Sequence, residues 1–243
     1  ANAFWSDSCF CMTYGDGNGS SVYPLTSLDI AGHEMTHGVT SNTARLVYSG
    51  ESGGLNEATS DIFGTMVEYH AGNANDPGDY KMGEEIFANG TSVIRYMVKP
   101  SLDGVSADCW YPGVGSIDVH YSAGIANHVF YLLAEGTTPV DGPASPTCAT
   151  GNTRVATGSG LLAGIGRDKA AKIWYRALTV HMTSSTNYAG ARAATIAVVT
   201  ITAWPAIIAA AKPQTSPGGT PCQTSSPNTR PATSAPQNSG SAR

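Results

Sequence analysis

The sequence predicts a mainly α-helical domain with a short β or irregular segment at its start, near residues 1–23. Five stretches place apolar residues at helical spacing, over residues 27–41, 55–72, 124–135, 165–181 and 188–201. Ahead of them, the glycine-rich run Tyr14-Gly15-Asp16-Gly17-Asn18-Gly19 reads as a turn between short extended pieces. Behind them, Trp204-Pro205 is expected to end the last helix, and residues 213–243 are Pro, Ser, Thr, Gly and Asn with almost no apolar content. The chain therefore divides into a folded unit over residues 1–201 and a Pro/Ser/Thr-rich tail over 202–243 that is expected to be disordered.

The first helix carries His33-Glu34-Met35-Thr36-His37. Residues four apart lie one above the other on a helix, so His33 and His37 can offer imidazole nitrogens to one ion. Glu57, twenty residues further on and on the second helix, completes a His₂Glu set with a fourth position open, the pattern of a catalytic zinc site. At about 100° per residue, Glu57, Asp61 and Glu68 fall within roughly 40° of one another, while Ile62, Phe63, Met66 and Val67 supply packing surface. Asp61, one turn past Glu57, is expected to accept the second ring N–H of a ligating histidine.

Several further runs occur in a fixed order: Asn2-Ala3-Phe4-Trp5, the Tyr14 turn, Glu51-Ser52-Gly53-Gly54-Leu55-Asn56-Glu57, Asp118-Val119-His120-Tyr121-Ser122-Ala123-Gly124 and Gly164-Ile165-Gly166-Arg167-Asp168-Lys169. With the His33 motif they resemble the thermolysin-like secreted zinc endopeptidases, most closely the actinomycete members, over about residues 1–196. The fold class implied is the helical C-terminal domain of an α+β metalloprotease. The β-rich N-terminal half, which supplies the other wall of the cleft, is then expected in the full protein, because Asn2 corresponds to a point inside the family's catalytic unit.

The resemblance implies roles residue by residue. Glu34 would be the general base that takes a proton from the activated water and passes it to the leaving amine. His120 and Tyr48 would donate hydrogen bonds to the developing oxyanion, with Asp118 orienting His120. Arg95 would bond a substrate carbonyl, and Asn2 with the backbone carbonyl of Ala3 would hold the peptide main chain. Val22, Leu25, Ile30, Ile86 and Ile94 would wall a pocket for a bulky hydrophobic residue contributing the new amino terminus. Asp29, Glu68, Asp79 and Glu84 match carboxylates that gather around calcium, a hard ion taking six to eight oxygens. Lys81 interrupts that pattern, since an ammonium cannot coordinate metal, so one structural Ca²⁺ is expected rather than two, beside one catalytic Zn²⁺.

Composition agrees. A net charge of −5 with 13% charged residues gives no basic stripe, which argues against nucleic-acid binding. No run of about 20 apolar residues and no signal-peptide layout is found, so no membrane association is expected and Ala1 is not expected to be the natural start. Low charge with much Gly, Ser, Thr and Asn suits an exported, extracellular monomer whose partner is a peptide or protein substrate. Five cysteines leave one unpaired. Cys9 and Cys11 are too close to be expected as partners; each can bridge elsewhere, with Cys109 and Cys148 as candidates, and none has zinc-finger spacing. The competing reading is a zinc-binding fragment with little turnover because one cleft wall is lacking.

Overall fold

The computed structural model describes residues 2–151 and 154–210; the tail expected to be disordered lies, from residue 211 on, outside the described residues, as does Cys222. The chain begins with an antiparallel hairpin, β1 (Ala3–Ser6) against β2 (Cys11–Tyr14), in register Ala3↔Tyr14 to Ser6↔Cys11. Then follow α1 (Leu28–Ser41), α2 (Gly50–Ala71), a second small hairpin of β3 (Lys81–Met82) and β4 (Arg95–Tyr96), α3 (Val119–Ser122), α4 (Gly124–Glu135), α5 (Arg167–Arg176) and α6 (Tyr188–Ala210). The architecture is the expected mainly helical one with a short β start.

Helix α2 is the axis of the fold and touches α1, α3, α4, α5 and α6. The core gathers Leu55, Ala58 and Ile62 of α2, Phe130 and Tyr131 of α4, Trp174 of α5 and Ala191 and Val198 of α6. Leu55, Ile62 and Phe130 are fully buried, and each such side chain contributes about 1.5–3 kcal/mol. Trp174 satisfies its indole N–H on Thr59 Oγ1 at 3.1 Å, so its burial leaves no orphaned donor. A smaller cluster, Leu25, Ile30 and Ile86 with Ala3, Tyr14, Val22, Phe87 and Ile94, packs beside the first hairpin.

Three expectations are corrected. Helix α2 starts at Gly50 rather than Leu55, because Gly54 lets it approach α3 and α6 closely: a β-carbon there would lie 2.4 Å from Ser122 Oγ and Tyr188 Oη. Tertiary packing overrides the poor helix propensity of glycine. Helix α6 runs past Trp204-Pro205 to Ala210. Proline removes one backbone bond, and the alanine-rich sequence on both sides carries the helix across it. Cys9 and Cys11 are bonded to each other, and Cys109 to Cys148. Phe10 between the first pair takes a positive φ of 53°, which folds the chain back and brings the two Cα atoms to 5.2 Å, within disulfide reach. Among the described residues no helix is long and apolar enough to cross a membrane.

Candidate functional site

The site is made by the crossing of α1 and α2. At the crossing, Gly32 of α1 faces Gly64 of α2; a β-carbon on Gly64 would lie 2.4 Å from the Asp29 carbonyl oxygen, so only glycine permits this approach. One turn along, the two helices bring three donors together. His33 Nε2 and His37 Nε2 are 3.1 Å apart, His33 Nε2 is 3.5 Å from Glu57 Oε2, and His37 Nε2 is 3.4 Å from Glu57 Oε1.

The outer atoms fix the protonation. His33 Nδ1 donates to Asp61 Oδ1 at 2.8 Å, and His37 Nδ1 donates to Asn56 Oδ1 at 2.8 Å. The Asn56 amide is oriented by its own Nδ2, which donates to the Leu46 carbonyl at 2.9 Å. With both Nδ1 atoms carrying protons, the neutral rings turn lone pairs toward each other and toward a carboxylate. Buried Glu57 Oε2 has no hydrogen-bond partner. Such a group is repulsive by itself and is relieved by a cation. Donors about 2.0–2.1 Å from a tetrahedral ion lie about 3.3 Å from one another, and the separations here match. The residues therefore fit a divalent ion with a taste for nitrogen and oxygen, as zinc has.

Burial and charge tune these groups. Burial drives the His33 pKa down, but the Asp61 hydrogen bond and the Glu57 charge more than compensate and raise it. His37 is lowered, by burial and then by the neighbouring His33. Burial opposes ionisation of Glu57 and Asp61, yet both are held below the usual range: Glu57 by His33 and Arg95, Asp61 chiefly by Arg95 and His33. Arg95, brought to α2 by the β3–β4 hairpin, grips Asp61 through Nε at 2.8 Å and Nη2 at 2.7 Å, and Asn127 Nδ2 adds a bond at 2.8 Å.

Glu34 lies next to this group and lines the same cleft, with the backbone N–H of Trp5 in β1 nearby favouring its charged form. Its pKa is raised, by burial and then by Glu57, against the opposing charge of His33. His120, on α3, has Nδ1 at 2.7 Å from Asp118 Oδ1, and Asp118 also caps the helix by accepting His120 N–H at 2.9 Å. The Asp118 carboxyl is held low by these two bonds, the backbone one first. His120 Nε2 reaches 3.2 Å from Tyr48 Oη and 3.6 Å from Glu57 Oε2, and Tyr48 Oη donates a short bond to Glu57 Oε1. Tyr48 and His120 thus both reach Glu57, the carboxylate of the three-residue group.

The cleft has a volume of about 720 Å³. Asn2, Ala3, Leu25, Ile30, Ile94 and Arg95 line it, while Val22 and Ile86 stand behind Leu25 and Ile30 in the same apolar cluster. The four carboxylates expected together are not all brought together. Glu68 and Glu84 meet Asp76, with one oxygen of each within 4.8 Å of the others. The Asp29 carboxylate instead accepts the N–H groups of Ile30 and Gly83, and Asp79 is held by the Lys81 ammonium and by its backbone N–H at 2.6 Å. Burial, reinforced by Asp29, Asp76 and Glu84, pushes Glu68 up to about 8, and burial with Asp79 and Asp29 pushes Glu84 up to about 7. Glu68 Oε1 and Glu84 Oε2 are buried without hydrogen-bond partners.

No motif in the sequence assigns a role to Asn56, Asn127, Asp76 or Arg45. Asn56 adjoins Glu57 in the quoted motif, and Asp76 is one of two aspartates in the loop between Glu68 and Lys81, so both left a signal. Asn127 and Arg45 left none, since only the packing of α4 and the turn after α1 bring them in.

Residues 44–203 match the family "Thermolysin metallopeptidase, alpha-helical domain", and residues 1–41 match "Thermolysin metallopeptidase, catalytic domain". The match thus continues beyond Ile196. The chain is 60% identical over 199 residues to the transglutaminase-activating metalloprotease of Streptomyces mobaraensis, covering 80% of this chain and 25% of that protein. It is 40% identical over 201 residues to thermolysin of Alicyclobacillus acidocaldarius subsp. acidocaldarius, covering 80% of this chain and 33% of that one. The solved structure of the precursor of protealysin, a metalloproteinase from Serratia proteamaculans, superposes with a TM-score of 0.56 at 29% identity, over 81% of this chain and 58% of that chain. The chain thus spans about a quarter to a third of the length of these curated relatives.

Proposed function

Because the chain belongs to the thermolysin metallopeptidase family, we propose that it is the helical half of a secreted zinc endopeptidase that hydrolyses peptide bonds on the amino side of bulky hydrophobic residues. The observation that carries this reading is the set of His33, His37 and Glu57 donors, 3.1–3.5 Å apart with both rings held as Nδ1–H tautomers. These three residues would hold the zinc. When bound, the ion polarises the scissile carbonyl and makes hydroxide accessible near neutral pH by lowering the pKa of water to about 7.

The protein's own groups do the rest. Glu34, beside the three donors and made more basic by its burial, is suited to accept a proton from the attacking water and to return it to the departing amine. Tyr48 and His120 present donors to negative charge growing on the attacked carbonyl, a contribution of about 3–4 kcal/mol per donor in comparable sites. Asn2 and Ala3, on the β1 side of the cleft, are placed to hold the peptide main chain, and Arg95 to meet a substrate carbonyl while its other face stays on Asp61. Leu25, Ile30, Ile94 and, behind them, Val22 and Ile86 support a preference for a large apolar side chain. The residues that precede this segment in longer relatives would supply the opposite wall of the cleft.

We assign Glu68, Asp76 and Glu84 to one calcium ion, with Asp29 adjacent. The Lys81 ammonium on Asp79 neutralises the carboxylate that a second ion would require. Two disulfides suit export to an oxidising compartment. The test is hydrolysis of casein and of a short peptide with and without o-phenanthroline, beside Glu34→Ala. Elemental analysis should find one zinc per chain in both proteins, and turnover only in the untreated wild type. Hydrolysis that survives the chelator would sink the reading.

A further inference from the structure

Arg45 lines the cleft, is exposed, and holds its backbone at a positive φ of 57°, a conformation that glycine adopts freely and a β-carbon disfavours. The other charged side chains lining the cleft are engaged. Arg95 is on Asp61, Glu57 on Tyr48 and the histidines, Glu34 is buried beside His33 and Glu57, and Asp7 Oδ1 accepts both Trp5 Nε1 and Ser41 Oγ at 2.7 Å. Among the described residues nothing pairs with the Arg45 guanidinium.

Its position defines what it can meet. The apolar cluster lies at the N-terminal end of α1, through Leu25 and Ile30, whereas Ser41 and Arg45 mark the C-terminal end, with His33 and His37 between. At about 1.5 Å per residue, the helix runs roughly 9 Å from the histidines to Ser41, about the length of three extended residues. A peptide whose large side chain fills the apolar pocket therefore leads its preceding residues toward Arg45. A guanidinium presents a planar fork of donors that matches a carboxylate.

We propose that Arg45 is a specificity-determining residue that binds the carboxylate of an aspartate or glutamate two or three positions before the bond to be cleaved. This rests on the peptidase reading above. Asp7, at the same end of the cleft, is the competing charge and would instead favour a basic residue there.

The test uses the full zinc-loaded chain and three peptide series identical except for Glu, Gln or Lys at those two positions. The wild type should show kcat/KM about fivefold higher for Glu than for Gln at low salt, the range of a partly exposed ion pair, and the ratio should shrink in 0.5 M salt. Arg45→Gly is the informative variant, because it relieves the positive φ: its melting temperature should equal or exceed that of wild type while the Glu preference disappears. Equal rates for Glu and Gln, a preference for Lys, or a Glu preference that survives Arg45→Gly would each overturn the assignment. If no peptide is cleaved, the peptidase reading fails, and Arg45 is then tested directly by fluorescence anisotropy with the same labelled peptides. Tighter Glu binding lost in Arg45→Gly would support it, and equal binding would overturn it.

Discussion

Arg95 and Asp61 form a two-point ion pair, Nε and Nη2 on the two carboxylate oxygens at 2.8 and 2.7 Å, directly behind His33. Asp61 is wholly buried, so the pair holds the carboxylate charged where burial alone would neutralise it. Arg95→Ala leaves that charge without its main partner. We expect a loss of about 3–5 kcal/mol in stability and a 10–100-fold loss in zinc affinity, read by denaturant melts and by competition with a fluorescent chelator. Wild-type affinity in a folded variant would refute the link.

The helix crossing makes a second prediction. Gly64→Ala inserts a β-carbon against the Asp29 carbonyl oxygen. Overpacking of this kind costs about 1–3 kcal/mol, and because α1 carries both histidines while α2 carries Glu57, the variant should bind zinc more weakly than an exposed control such as Val140→Ala.

The acidic group predicts a pH response. Glu68 and Glu84 are raised to about 8 and about 7 from an ordinary value near 4.5, so the folded chain retains protons that the unfolded chain has released. Their contribution is complete below about 4.5 and declines as pH rises toward 8. In a calcium chelator the melting temperature should fall across that window, and Glu68→Gln should flatten the fall. Added calcium should stabilise most at the alkaline end, where both carboxylates are ionised. A melting temperature independent of pH in the chelator would contradict this.

The two disulfides should differ under mild thiol. Cys9 and Cys11 are both exposed at the tip of the first hairpin, whereas Cys109 is buried. Mass spectrometry of alkylated peptides should find Cys9 and Cys11 labelled well before Cys109 and Cys148, and the reverse order would count against the described hairpin.

Much of the site was legible in the sequence because helical spacing alone brings His33 over His37 and puts Glu57 and Asp61 on one face. The Gly50 start of α2 was not, since Gly53 and Gly54 argue against a helix until their close approaches, Gly53 to Val119 and Gly54 to Ser122 and Tyr188, are seen. Nor was the choice of Asp76: the Lys81 side chain captures Asp79, a local ion pair that no spacing rule weighs. The Cys9–Cys11 bond depends on one residue, Phe10, adopting a left-handed backbone that sequence gives no reason to expect.

The Asn56 carboxamide has one end on the His37 ring and the other on the Leu46 carbonyl. A single flat, rigid group therefore keys the turn bearing Arg45 and Tyr48 to an imidazole of the proposed zinc site. A displacement of that turn is therefore expected to reach the His37 ring through two hydrogen bonds.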